Sequence, residues 1–386
     1  MLWPNLTSIR VSYKLLVFGL LVVFLAILTL VLFITPSLPK PSKKQPPLAL
    51  NYLQDLIPLS PSSVSHRNDV QKQSETTLVV TGDVLLAREV NYQALQKKDF
   101  QWPWYMTADI LRQADIALIN LETPLVQDCP VTRSGMIFCG DPQNVTGLSW
   151  SGIDVASLAN NHALNHGVEG VEQTTRFLED INVLPSGVLR EGQTHQTPTI
   201  VERNGITFAF LSYTDLGVTA GAIAKSEPEV IKNDIELAQQ QADVVIPFFH
   251  WGEEYQSQPT ARQTLLAHVA IEAGADLVIG NHPHWYQALE IYQGVPIAYS
   301  HGNFIFDQMW SMETRLGMVG RYTFSDKTLS KIEFVPIQIE DYGQPFFLEG
   351  QEKHDQLKKL ESISQKLQPE FTQNLIENNL DFTRGE

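Results

Sequence analysis

The chain is short of positive charge and almost without thiols. Of its 386 residues only 27 are Lys or Arg against 43 Asp or Glu, giving a formal net charge of -16. Affinity for a nucleic-acid backbone rests on clustered basic side chains that neutralise phosphates, so the composition argues against nucleic acid as a partner. An acidic surface repels other polyanions as well, and an anionic ligand would therefore need a concentrated site, which points to a bound cation. The two cysteines, Cys129 and Cys139, are too few for a Cys-only metal site. They lie in CPVTRSGMIFC, whose Ser-Gly pair suits a turn. Either they pair across a hairpin in an oxidising compartment or they remain two free thiols. No internal repeat is visible. Apolar residues are not scarce: at 43% hydrophobic the chain is long enough to bury a real core, and disorder throughout is excluded.

Charge is missing altogether from Leu15 to Ile34, LLVFGLLVVFLAILTLVLFI, a run about as long as the roughly 20 residues of a bilayer-spanning helix. It exceeds the roughly 7–15 residues of a cleavable signal's apolar region, and the TPSLPKP that follows lacks an A-x-A site. The run reads as an uncleaved, single-pass signal anchor, with residues 1–14 cytoplasmic and the remainder extracytoplasmic; a removed signal peptide and a buried core helix are the alternatives. Arg10 and Lys14 precede it while Lys40, Lys43 and Lys44 follow it, so flanking charge gives this orientation little support. Residues 35–75 are rich in Pro, Ser, Lys and Gln and read as a linker holding a domain off the membrane.

From Thr76 short apolar runs alternate with amphipathic stretches, the pattern of an α/β domain over residues 76–345. Strands are predicted at TLVVTGD, IALINLE, DVASLAN, ITFAFLSYT, DVVIPFFHWG, DLVIGNH, ALEIYQ, PIAYSHGN and KIEFVPIQIE. Helices are predicted over 103–113, 170–181, 228–241 and 259–273, with Pro near the first turn of three of them. Residues 346–386 are polar and read as a loosely packed helix or tail.

Strand after strand ends in a side chain able to hold a metal: Asp83, Glu122, Asn161 with His162, His250, and His282 with His284. Strand carboxyl ends and the loops after them form the ligand crevice of such sheets, so these residues are expected to converge. Carboxylates, an amide oxygen and imidazoles together suit Mn, Fe or Zn better than Ca or Mg. Each piece alone has a plainer reading: Gly82-Asp83 as a turn, Glu122 as a solvated strand end, ANNHALNHG as a helix-capping turn, His250 as a core-edge histidine bonded to backbone. The H-P-H of GNHPHW is the most specific single signal, since the proline should hold His282 and His284 extended with both side chains on one side. His166, four residues beyond His162, stays outside the set.

The ordered series TGDVLLAR, INLETPL, SLANNHALNHG, PFFHWGEEY and GNHPHWYQALEIYQGVPIAYSHGNFIFD resembles the CapA family of capsule and poly-gamma-glutamate synthesis proteins over roughly residues 77–338. That family is similar in turn to calcineurin-like metallophosphatases. The resemblance implies an αββα sandwich of two mixed β-sheets flanked by helices. It implies two divalent cations, one held by Glu122, Asn161, His250 and His282 and the other by Asp83, Glu122 and His284. It places His162, with Asn161, near the substrate oxygen as general acid or oxyanion partner. Arg88, Trp251, Glu253 and Asn303 are implied in substrate binding, with Trp251, Glu253 and Glu254 at the mouth of the site and Asn303 packed beside it.

Leu85 departs from the pattern, standing where a histidine ligand is expected, so the cation position of Asp83, Glu122 and His284 should be weak or empty. Glu122 stands where aspartate is usual. His301 replaces the leucine of the family's SLGNF, as an extra site residue or as a local substitution without function. Two functions follow from the resemblance. In one, two cations polarise a phosphoryl or amide oxygen and lower the pKa of a water, giving a metal-dependent hydrolase of phosphoesterase type. In the other, the domain is a non-catalytic subunit of a membrane complex that makes or exports an anionic envelope polymer, gripping its carboxylates and contacting the synthase subunits. A surface adhesin using the domain as a scaffold is the third reading.

Overall fold

The computed structural model describes residues 75–371. The predicted N-terminal segment, membrane span and linker up to residue 74 lie outside the described residues, as do residues 372–386. Among the described residues no helix is long and apolar enough to cross a membrane.

In chain order the strands are β1 (Glu75–Val84), β2 (Ile116–Leu121), β3 (Val155–Ser157), β4 (Leu184–Ser186), β5 (Thr199–Arg203), β6 (Ile206–Thr214), β7 (Val244–His250), β8 (Val278–Asn281), β9 (Leu289–Tyr292), β10 (Val295–Ala298), β11 (Asn303–Ile305), β12 (Leu316–Ser325), β13 (Thr328–Glu340) and β14 (Gln344–Phe347). The α-helices are α1 (Arg88–Lys97), α2 (Ala108–Arg112), α3 (Val145–Ser151), α4 (Gly167–Glu179), α5 (Pro228–Ala238), α6 (Ala261–Glu272), α7 (Met312–Arg315) and α8 (Gly350–Leu367). Two of these starts are legible locally. Pro228 occupies the first turn of α5, where its missing N–H costs nothing. Thr260 caps α6 in a reciprocal box with Gln263.

Both sheets are mixed. The first runs β14-β13-β12-β1-β2-β3-β4, with β11 also paired to β1, and the second runs β5-β6-β7-β8-β10-β9. In the first, β1 to β4 are mutually parallel while β12, β13 and β14 extend the sheet antiparallel. In the second, β6, β7, β8 and β10 are parallel between antiparallel edges. Alternation along the strands gives each sheet two apolar faces. Leu78, Val80, Ile116 and Leu118 of the first sheet share one core with Phe208, Phe210, Ile246, Phe248 and Ile279 of the second. The opposite faces are covered separately. Val79, Ala117 and Ile119 pack with Val90, Leu111 and Leu148 of α1 to α3, and Leu211, Val245 and Phe249 pack with Ile231, Ile235, Leu266 and Ala270 of α5 and α6. The result is two mixed sheets face to face with helices outside both.

Three local expectations are corrected. The stretch read as one helix over 103–113 is a 3-10 turn at Trp102–Trp104 followed by the short α2, because Pro103 starts a turn that Tyr105 and Met106 leave exposed. The C-terminal stretch is not loosely packed up to residue 367. Leu357, Leu360 and Ile363 of α8 enter the core between the sheets, and Ser364 Oγ accepts the Leu289 N–H. Cys129 and Cys139 are bridged, and the segment they close is a loop rather than a strand hairpin. β12 escapes a reading by hydrophobic pattern because Gly317 and Gly320 interrupt its apolar run.

Candidate metal centre

The parallel strands of both sheets release their chemistry at the same end. Asp83 closes β1, Glu122 follows β2, Asn160 to His162 follow β3, His250 closes β7, and Asn281 to His284 close and follow β8. Register sets the first sheet's share, since Asp83 lies opposite Asn120 on one side and Asn303 on the other. Gly82 is required there: a Cβ on it would stand 2.1 Å from the Gly302 carbonyl oxygen. In the second sheet His250 lies opposite Asn281. Asn281 joins the two sheets, donating to the Thr81 carbonyl at 3.2 Å while its oxygen accepts the His301 N–H.

Two groups of ligand atoms result, each within 4.8 Å: Glu122 with His250 and His282, and Asp83 with Glu122 and His284. All five residues are buried. In the first group His250 Nε2 lies 3.1 Å from His282 Nδ1 and 2.8 Å from Asn161 Oδ1. Glu122 Oε1 stands 3.7 Å from His250 Nε2 and 3.9 Å from His162 Nε2, beyond hydrogen-bond reach. Both Glu122 oxygens are buried without a partner. A buried carboxylate left bare costs several kcal/mol unless something charged meets it (about 1–3 for a neutral polar group). Atoms each about 2.0–2.2 Å from one cation lie roughly 3–3.5 Å from each other, a spacing close to these. The residues therefore fit a divalent cation. They converge as the sequence pattern anticipates.

Electrostatics favour the same reading. Burial foremost, then the negative charges of Asp83 and Glu254, push the Glu122 carboxyl well above the usual range, and Arg88 pulls the other way. Burial, with His282, His284 and His162 nearby, holds His250 well below its ordinary value, and burial pushes His282 down to about 3. Both imidazoles are thus neutral near pH 7, with a lone pair available.

Neighbouring amides aim these groups. Asn120 Nδ2 donates to Asp83 Oδ1 at 2.7 Å and reaches His250 Nδ1 at 3.1 Å. Asn303 Nδ2 donates to Gln308 and to the Thr314 carbonyl, which fixes its Oδ1 to accept from His284 Nδ1 at 2.9 Å. That leaves His284 Nε2 with its lone pair. Pattern reading missed Asn120. Its signal was a lone amide in the apolar run IALINL, two residues before Glu122 and so on the same face.

His282 and His284 are not extended. Their φ values are 99° and 58°, a left-handed region seldom used by histidine. The reversed backbone lets the His282 N–H reach Asp83 Oδ2 at 3.2 Å and sends the two rings to different groups, 5.7 Å apart. Such strain persists where surrounding contacts over-determine it. One of these is Tyr255, whose N–H donates to the Pro283 carbonyl.

His162 stands beside Glu122, stacked on Phe138 at 3.7 Å. Asn165 Oδ1 accepts both the Phe138 N–H and His162 Nδ1, so the His162 proton sits on Nδ1 and Nε2 faces the site. Burial lowers its pKa. The backbone of His162 is tied by Asn160, which also reaches the Leu121 carbonyl. Phe138 is itself placed by the loop that Cys129 and Cys139 close.

The residues expected at the mouth divide. Trp251 is a correction: period-two alternation turns it away from His250 into the outer core, stacked on Phe249 at 4.3 Å with its indole N–H on the Tyr299 carbonyl. Glu253 and Glu254 are exposed. Arg88 is buried, ion-paired with Asp307 and packed over the Phe138 and Phe306 rings. His301 joins neither group; it is fully buried and bonds Tyr322 at 3.1 Å. Leu85 belongs to the apolar cluster that holds Phe304 and Phe306.

A family model described as bacterial capsule synthesis protein PGA_cap matches residues 77–308. The capsule biosynthesis protein CapA of Bacillus anthracis is 28% identical over 314 residues, covering 77% of this chain and 74% of that protein. The PGA biosynthesis protein CapA of Bacillus subtilis is 29% identical over 271 residues, covering 67% and 70%. Among solved structures, a novel phosphatase from Mycoplasma pneumoniae aligns with a TM-score of 0.46 at 13% identity, over 70% of this chain and 95% of that one.

Proposed function

The chain belongs to the family of bacterial capsule synthesis proteins, whose model matches its residues 77–308, and from that premise we propose that it serves the synthesis or export of an anionic, poly-gamma-glutamate-like envelope polymer through a two-cation centre. Residues 15–34 would anchor it in the cell membrane, with the domain outside the cytoplasm among the synthase subunits. The observation that carries the centre is Glu122, a fully buried carboxylate with both oxygens bare between two sets of imidazole and carboxylate ligands.

In this reading Glu122, Asn161, His250 and His282 would hold one cation, and Asp83, Glu122 and His284 the other. Mn, Fe and Zn suit the mixed nitrogen and oxygen donors. Bound there, the ions supply Lewis-acid polarisation of a phosphoryl or amide oxygen. The chain's own contribution is positional. Asn120 holds the Asp83 carboxylate and Asn303 aims the His284 ring. His162, its Nδ1 proton held by Asn165, presents Nε2 to accept or return a proton at the substrate oxygen.

Elemental analysis of the purified chain tests the centre before any substrate is chosen: between one and two equivalents of transition metal are expected, and a chain that binds none from Mn, Fe or Zn sinks it. Catalysis is tested separately. His162→Ala should abolish hydrolysis of phosphoester or gamma-glutamyl substrates and leave metal content intact. The burial of Leu85 in the apolar cluster, where a further ligand was expected, favours the non-catalytic alternative of a cation-assisted grip on polymer carboxylates. Metal without turnover on a broad substrate panel, together with polymer lost on deletion in cells, would select that alternative.

A further inference from the structure

Immediately beyond His284 the chain lines a cavity of about 240 Å³ with Trp285 and Tyr286. Ser257 enters it from the loop after β7, Glu313 from α7 and Lys359 from α8. Its chemistry is unlike that of the metal centre. Lys359 is exposed, lies 5.6 Å from the Tyr286 ring centre, and forms no ion pair among the described residues. The Trp285 indole N–H is buried without an acceptor. An unpaired buried donor is costly, and a carboxylate oxygen would satisfy it. Glu313 likewise forms no ion pair among the described residues, and it offers an acceptor to an amide N–H. Trp310, 65% exposed, stands edge-on to Tyr255 at 6.3 Å, adding an aromatic surface beside the His284 side of the centre.

We propose that this cavity is a subsite for one unit of a carboxylate-bearing amide chain, with Lys359 and the Trp285 N–H on the carboxylate and Glu313 on the amide N–H. The proposal takes the polymer class from the function proposed above, yet the subsite does not need the cations. On a chain with net charge -16, a single unpaired lysine in a cavity is a local exception that would seat one anionic unit and lead its neighbour toward His284. α8 therefore carries a binding residue besides packing the core.

The test is equilibrium binding of a short γ-linked glutamate oligomer to the full chain, beside the same oligomer with its pendant carboxylates converted to amides. Lys359→Gln should weaken binding of the acidic oligomer about tenfold, and Trp285→Phe, which keeps a ring but removes the N–H, should weaken it by a similar factor. The amidated oligomer should bind weakly to all forms and not respond to Lys359→Gln. Metal content should be the same in both variants and the parent chain, so a chain without metal that still shows the Lys359 dependence would retain the subsite while the metal centre fails. Equal affinity for acidic and amidated oligomers, or unchanged binding in both variants, would overturn the subsite whatever the metal content.

Discussion

The two ligand groups share Glu122 but are built differently around it. The Glu122–His250–His282 group draws its imidazoles from the second sheet, places His282 Nδ1 3.1 Å from His250 Nε2, and gains an amide oxygen from Asn161 2.8 Å from the same nitrogen. The Asp83–Glu122–His284 group has one imidazole, and its carboxylate is already engaged by Asn120 and by the His282 N–H. Where a further ligand was expected, Leu85 packs into the core. Similar burial thus surrounds one donor-rich and one donor-poor position, which predicts unequal affinity within a single centre.

The strongest way to break this comparison is to remove what the groups share. Glu122→Gln should lower metal affinity at both positions by roughly tenfold or more, because a neutral amide no longer offsets repulsion between two cations. The same change should raise the melting temperature of the metal-free protein by a few degrees, since an uncharged amide is less costly to bury bare than a carboxylate. Titration calorimetry and a melting curve check both, and metal binding equal to that of the parent chain would refute the shared ligand. His282→Ala comes next. It should roughly halve the bound metal by emptying the donor-rich position, as elemental analysis would read.

His284→Ala should cost less total metal, because it touches only the weaker position. If it removed both ions equally, the ligand assignment would be wrong. Asn303→Ala, which frees the His284 ring without deleting it, should weaken that same position about tenfold and leave the other unchanged. The smallest effect sharpens the electrostatics. In metal-free protein His282 titrates near 3 against an ordinary 6.5. Between those values the unfolded chain binds a proton that the folded chain refuses, so stability is full above about 6.5 and declines as pH falls toward 3. Glu122, raised instead, binds a proton in the folded state that the unfolded chain releases, and opposes this trend as pH falls. In Glu122→Gln the acid-side loss should steepen in pH-dependent melts.

The parallel strands are legible in their apolar runs, and the positions of their polar ends follow, so the sequence alone points to Asp83, Glu122, His250, His282 and His284. ITFAFLSYT was read with the same bounds as β6. What escaped reading depends on tertiary contact. The reversed backbone at His282 and His284 is held by tertiary contacts such as the Tyr255 N–H on the Pro283 carbonyl, and X-Pro-X by itself suggests extension. The resemblance implies Trp251 at the mouth of the site, yet strand alternation sends it to the opposite face. α8 seemed too polar to pack, because only Leu357, Leu360 and Ile363 carry its buried stripe.

Asn281 makes the two-sheet construction of the centre mechanical as well as chemical. Asp83 and Glu122 ride on one sheet and His250 and His282 on the other, while one amide side chain spans the seam to Thr81. Any shear of the sandwich by an ångström would spread the ligand atoms apart, and a bound ion would resist it. The centre is then a gauge of sheet alignment, and slowed amide exchange along β1 and β8 on adding metal would be its reading.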